Sequence, residues 1–416
     1  MEEVKEYTTE RVDPKDFVSG WLMAIIIAGT ALSLPILYLG AEIALSIGFT
    51  NALLAFIIST LVLSFVSAFT TLVGNRTHLS TYMILHFSFG KYGAAIVNFM
   101  FGLILIGWFS VSLELLAIAI SDTALNTFEL QLYNQLIIVL SSLFITLTTL
   151  FGINSIQRLA NFTIPVLTVF FGYVLTLSFQ DYSLEDVFNY APASATMTLF
   201  EAVSILVGSS ILFPVLMADF SRFMKDDKQS LISILGLIIG TPIALIFGAI
   251  PAIQTGEVDI IKIMASYDLV IPAFVLLFVS TWMANTLNLY SATLTFSSIK
   301  PQWSYRKVVV FGSVFGTIIA CFGFSEFLFS FLELLGVFTP AIAAIYLLNF
   351  FWVKKQIYIM NEIKAWEINA LFSWCLASIF SSLTYLDYLQ LTSIYFLDAF
   401  LIGAFCYLIM IKIVKL

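Results

Sequence analysis

Gly29-Thr30-Ala31-Leu32-Ser33-Leu34-Pro35 aligns without a gap on Gly208-Ser209-Ser210-Ile211-Leu212-Phe213-Pro214. Each segment is a glycine, then a hydroxyl residue, then a proline six positions after the glycine. Each sits near the middle of a long apolar run. Glycine lowers the resistance of a helix to unwinding, and proline removes a backbone donor and crowds the preceding turn. A helix opened in hydrocarbon leaves polar backbone groups that lipid cannot satisfy. Such an opening is tolerated where it lines a cavity or is covered by protein. Matched openings in two halves of one chain are the sequence sign of a secondary transporter built from an inverted repeat, with its site near the bilayer midplane.

Working outward, hydrophobic residues make up 60% of the 416 and charged residues 11%. Soluble domains are about half apolar and about a quarter charged. Forty-one Phe against 18 Lys+Arg and 26 Asp+Glu cannot build a water-facing surface. Soluble enzymes, nucleic-acid binders and disordered chains are excluded, and the lipid bilayer becomes the surrounding partner. The apolar runs approach the ~20 residues that cross hydrocarbon as a helix. Twelve spans read out at 18–47, 51–74, 92–121, 133–153, 160–179, 197–221, 230–250, 269–299, 308–324, 327–350, 366–384 and 394–412. The fold class is an all-α polytopic membrane protein.

The basic residues test that count. With the N-terminus inside, the inner tails and loops hold Lys5, Arg11, Lys15, Arg76, Lys91, Arg158, Arg222, Lys225, Lys228, Lys300, Arg306, Lys307, Lys354, Lys355, Lys364, Lys412 and Lys415, and the outer loops hold Lys262 alone. Seventeen of 18 on one side follow the positive-inside pattern. Both termini are therefore expected in the cytoplasm, and the cell membrane is the expected location. The first span runs outward and the sixth inward, as an inverted five-helix repeat requires. The chain divides into a tail (1–17), a first repeat (18–179), a second repeat (197–350) and a final pair of spans with the C-terminal tail (366–416). The acidic tail lacks the basic start and apolar core of a cleaved signal. Cys321, Cys375 and Cys406 lie in apolar runs without CxxC spacing, and His78 and His86 have no cysteine partners; neither a metal nor a cofactor is implied.

Several strings share one likeness: Thr77-His78-Leu79 with His86 to Gly90, Gly107-Trp108-Phe109, Val207-Gly208-Ser209 running to Ala218-Asp219-Phe220-Ser221-Arg222-Phe223, and Trp282 to Asn285 with Leu289-Tyr290. Over roughly residues 20–300 they resemble the nucleobase–cation symporter-1 family, on its cytosine-permease branch. The resemblance implies the LeuT-type architecture: ten helices in two inverted repeats with helices 1 and 6 broken, plus two more. It implies a planar nitrogenous substrate stacked on Trp108 and hydrogen-bonded by Asn285, Ser209 and groups near Ser33 and Ser210. Asn288 is the weaker amide candidate.

The chain also departs from the family. A span-three glutamine is Leu105 here, and the aromatic after the span-six serine is Ser210, which leaves Phe213 to supply a second ring. The hydroxyl pair of sodium-bound members is Met283 and Ala284. Hard cations need oxygen ligands, so the carbonyls near Ala28 and Leu32 make a poor sodium site and protons become the favoured coupling ion. Buried carboxylates are then the candidates. Glu114, six residues after Trp108, and Glu333 are the proton-coupling candidates, and Glu114→Gln is expected to abolish pH-driven uptake. Glu42 and Glu201 lie toward span ends, and Asp219 reads as an i,i+3 ion pair with Arg222. Two rival readings stay open: an amino-acid or amine carrier of the same fold, and a transport-incompetent sensor or scaffold. The residues do not fix the exact substrate or the oligomeric state.

Overall fold

The computed structural model describes residues 7, 10–151, 153–192, 194–300, 302–392 and 394–414. Lys5, Lys415 and the acidic residues at 2, 3 and 6 lie outside them. The described residues are helical nearly throughout.

Ser19 opens α1 (Gly20–Ala31), its hydroxyl accepting from Leu22 N. The chain leaves the helix at Leu32 and Ser33. Pro35, whose missing N–H is harmless in a first turn, then starts α2 (Leu34–Ile47). The two helices meet at 62°. Gly48 turns into α3 (Phe49–Thr77), which ends on a left-handed His78. Ser80 caps α4 (Thr81–Phe128). Gly90, at φ 77°, cuts α4 into a short first arm and a long second one. There follow α5 (Asn134–Thr149), α6 (Ile153–Asp181) and the short α7 (Leu184–Asn189).

A capping box between Thr198 and Glu201 begins α8 (Leu199–Ser210). That helix passes through Ile211 into α9 (Leu212–Val215), turns at Leu216 and Met217, and resumes as α10 (Ala218–Ser221). Asp226 caps α11 (Asp227–Ser233). Then come α12 (Leu235–Thr255), α13 (Ile260–Ser266), α14 (Val270–Ile299), α15 (Tyr305–Cys321), α16 (Leu328–Leu348), α17 (Ile368–Tyr385) and α18 (Tyr395–Val414). Among the described residues seven helices are long and apolar enough to cross a bilayer, or eight if α1 and α2 count as one bent span.

Two kinds of contact organise the bundle. Along α1 and α2 the backbone lies directly on α11 and α12. A Cβ added at Gly40 would stand 2.1 Å from the Leu245 carbonyl oxygen, one at Gly248 2.0 Å from that of Leu37, and one at Gly236 2.1 Å from that of Ala24. Small residues let membrane helices approach this closely, where packing replaces the missing hydrophobic drive. The second group, α4, α5, α14 and α15, is joined by hydrogen bonds between side chains or from side chain to backbone. Asn98 donates to Ser298 Oγ at 3.1 Å, Ser110 to the Gly316 carbonyl at 2.9 Å, and Trp282 to Thr148 Oγ1 at 3.0 Å. Ser142 meets Ser313 at 3.0 Å.

The N-terminal segment closes one end. Val12 N donates to the His78 carbonyl at 3.1 Å and Val18 N to that of Phe223 at 2.9 Å. The buried Arg222 donates to the Tyr7 carbonyl at 2.6 Å. Its Nε donates to the backbone carbonyl of Asp219 at 3.1 Å, and its charge acts on the carboxylate with which the sequence paired it.

Candidate functional site

A cavity of about 140 Å³ lies where the two Gly-to-Pro segments meet α4, α12 and α14. Ser33 and Pro35 come to it from the bend between α1 and α2. Ser209, Ser210 and Phe213 come from α8 and α9. α4 contributes Leu105, Trp108 and Ser112, which share one face at i, i+3 and i+7. α14 contributes Ala284, Leu287, Asn288 and Ser291, also at helical spacing, and α12 adds Leu237 and Thr241.

Among the described residues the polar lining consists of hydroxyls, the Asn288 carboxamide and the Trp108 indole; no acidic, basic or histidine side chain lines the cavity. Such a wall can offer hydrogen bonds to a neutral ring edge, but it gives no counter-charge to an ion. Trp108 is half-buried and holds its ring edge-on to Phe331 of α16, 5.8 Å between centroids. Ser33 caps α2 by position without using its hydroxyl for the cap. Ser209 donates to the Leu206 carbonyl at 2.8 Å and lies 3.3 Å from the Ser210 hydroxyl. Phe213 leans on Phe220, 5.2 Å away.

The amides divide differently from the sequence expectation. Asn285 is 0% exposed and donates to the Phe109 carbonyl at 3.3 Å. Its Oδ1 accepts from Asn288 at 3.4 Å, and Asn288 lines the cavity. Asn285 thus ties α14 to α4 and steadies the amide that faces the space.

The coupling candidates lie elsewhere. Glu114 is 9% exposed and accepts from Ser325 N at 2.6 Å and Ser325 Oγ at 2.7 Å. Glu333 accepts from the Tyr385 hydroxyl at 2.5 Å. Neither carboxylate lines the cavity. The Ala28 backbone faces α12, 2.7 Å from where a Gly240 Cβ would stand, and Leu32 N closes a turn on the Gly29 carbonyl at 3.3 Å. Across from the bend, Met283 is buried and Ala284 sits in the cavity wall.

Of the lining residues, Ser112 was legible one turn beyond Trp108, and Ser291 one turn beyond Asn288. Thr241 carries no sequence signal beyond the proline that follows it.

A helical membrane bundle with an uncharged cavity between two interrupted segments is the architecture of a carrier of small molecules. Comparison with known proteins makes the class specific. Residues 14–365 match the family described as permease for cytosine/purines, uracil, thiamine, allantoin, and the chain belongs to that family. It is a transport protein rather than an enzyme. It is 25% identical over 336 residues to the cytosine permease of Escherichia coli (strain K12), covering 80% of this chain and 78% of that one. It is 27% identical over 297 residues to the hydantoin permease of Microbacterium maritypicum, covering 64% and 59%. Mhp1, a nucleobase-cation-symport-1 family transporter solved closed with bromovinylhydantoin bound, superposes at TM-score 0.86 with 19% identity over 97% of this chain and 94% of that one. Its inward-facing form gives 0.83, with 19% identity over 100% and 96%. These likenesses share the LeuT-type fold.

Proposed function

We propose that this chain is a secondary active transporter that carries an uncharged, planar nitrogenous heterocycle, of the nucleobase or hydantoin kind, across the cell membrane by alternating access. The observation that carries this is the cavity wall: one indole, several hydroxyls and one carboxamide, with no charged side chain. Trp108 stacks on the ring, which is worth ~0.5–1.5 kcal/mol beyond burial. Asn288 supplies donor and acceptor, oriented by Asn285. Ser33, Ser209 and Ser210, with backbone freed at the bend, complete the polar edge. Leu105 and Phe213 bound the ring on its apolar side.

The twelve-span count, the inverted five-helix repeats and cytoplasmic termini follow from the basic-residue distribution. The repeats rock about the site, and binding favours one state over the other only through differential affinity. Coupling is to protons in preference to sodium, because Met283 and Ala284 bring no side-chain oxygen to the bend. An amino-acid substrate is disfavoured because its ammonium would find no anionic side chain in the wall.

A thermal-shift panel of nucleobases, hydantoins, thiamine precursors and amino acids tests this on purified protein. A ligand at a hundredfold excess over Kd stabilises the folded state by ~2.7 kcal/mol. The expected result is a shift with one heterocycle, retained without sodium, and a loss of affinity of about tenfold in Trp108→Ala, in line with the stacking energy. Shifts with amino acids alone would overturn the proposal.

A further inference from the structure

Asp219 is a carboxyl buried between helices, with tyrosine and threonine hydroxyls beside it and a route through the tyrosine to the substrate cavity. Asp219 is 5% exposed, one residue before the cavity-lining Phe220. Its Oδ1 accepts from Thr81 N at 2.8 Å. Its Oδ2 is buried, with the Thr81 and Tyr82 hydroxyls as its neighbours and no well-formed hydrogen bond among the described residues. The Tyr82 hydroxyl is a neighbour of this carboxyl. Its single hydrogen, however, goes to the Ser291 carbonyl at 3.1 Å, and Ser291 lines the cavity. Burying a carboxylate charge is costly, and taking up a proton removes that cost. One proton at Oδ2 neutralises the carboxyl and gives it a donor of its own. The new O–H donates to the Tyr82 oxygen, and the Tyr82 hydrogen stays on Ser291.

We infer that Asp219 is the group that binds the coupled proton, linked to the substrate cavity through Tyr82 and Ser291. This rests on the transport reading above and moves coupling away from Glu114 and Glu333. The step is a protonation alone: carboxylate plus a proton gives the carboxylic acid, with no other bond changed. Release has its own device. The titratable groups facing Asp219 are Arg222 on its own segment, Tyr82 from α4 and Tyr346 from α16. His78, at the end of α3, pairs through Nδ1 with the Arg222 carbonyl at 2.9 Å. Arg222 is held by the Tyr7 carbonyl. When that end of the carrier opens and the N-terminal segment lifts, the guanidinium loses its Tyr7 anchor and closes on the carboxylate three residues away, which strengthens an attraction already present, favours the ionised form and expels the proton.

The test uses full-length protein in proteoliposomes with radiolabelled cytosine, uracil and hydantoin as probes. Wild type is expected to accumulate a probe when the lumen is alkaline and to exchange it without a gradient. Asp219→Asn is expected to keep exchange and lose gradient-driven accumulation. Tyr82→Phe is expected to keep exchange and accumulate more slowly. Accumulation by Asp219→Asn at the wild-type level would overturn the inference. A readout without substrate stands beside it. The infrared stretch of a buried protonated carboxyl should be present in wild type, vanish on alkalinisation and be missing in Asp219→Asn. Absence of that difference also overturns the inference. If wild type moves no probe, the transport reading fails, and the infrared band still decides whether Asp219 holds a proton.

Discussion

The two Gly-to-Pro segments share a pattern and differ in what they do with it. At 29–35 the helix stops. Ser33 N takes the Ala31 carbonyl at 2.9 Å, Pro35 begins a new helix, and the direction changes by 62°. At 208–214 the helix runs on to Val215 and turns only at Leu216 and Met217. Pro214 has no N–H to give, so the Ser210 carbonyl at the cavity loses its helical donor. The carbonyls that follow are taken up from outside: Thr70 donates to that of Pro214 at 2.7 Å and Tyr346 to that of Val215 at 2.9 Å. The neighbours account for the contrast. α12 presses Gly236, Gly240 and Gly248 against both arms of the first segment, and Gly20 of α1 packs on Gln229 of α11, which fixes the bend by shape. α3 and α16 add single hydroxyls on the second segment, which can be removed one at a time, to the close approaches of Gly208 to Leu332 and of Gly74 to Ala218.

The largest expected effect attacks the shape-fixed side. Gly248→Val places a side chain 2.0 Å from the Leu37 carbonyl, against backbone that cannot give. Overpacking against such a wall should destabilise the protein by more than about 3 kcal/mol. Denaturation of the purified protein would read it, and a near-normal transition would mean that α2 and α12 can part without harm. Next is Glu114→Gln, outside both segments. It weakens two hydrogen bonds from Ser325 to a charged acceptor, a loss of about 1.5–3 kcal/mol. Gradient-driven uptake should survive it. Uptake lost in Glu114→Gln and kept in Asp219→Asn would return coupling to the carboxylate that the sequence favoured.

On the hydroxyl-held side, Thr70→Val should cost about 1 kcal/mol while leaving the equilibrium affinity for substrate unchanged. An effect as large as that of Gly248→Val would erase the distinction between the two segments. The smallest effect is the control. A Cβ at Gly172 of α6 meets nothing within 4 Å, so Gly172→Ala should raise stability by less than about 1 kcal/mol through helix propensity. A loss there would show that lipid-facing or subunit contacts matter at α6.

The membrane class and the pairing of the two segments were legible because hydrocarbon imposes simple rules on length and charge. Ser33, Trp108, Ser209, Ser210 and Phe213 reach one cavity because proximity to a break or to mid-span already limits where they can go. The amides were harder. Asn285 and Asn288 stand about 60° apart around α14, and a helix buried on several sides has no polar stripe to show which of them looks inward. Glu114 was partly readable: six residues from Trp108 is about 240° around the helix, away from the face that Trp108 presents. The Asp219 site was hidden because it depends on which hydroxyl points where on α4, a matter of tertiary contact rather than spacing.

The glycine contacts between the first span and its distant partner also bear on how the protein is made. Gly20 N donates to the Gln229 side chain at 2.7 Å, across 209 residues of chain. At the ~5–20 residues per second of synthesis that interval is roughly 10–40 s. Through that time the glycine face of the first span has no partner and lies against lipid or neighbouring nascent helices. The N-terminal helices made alone therefore lack the surface that sets their bend, which is in place once α12 has entered the bilayer.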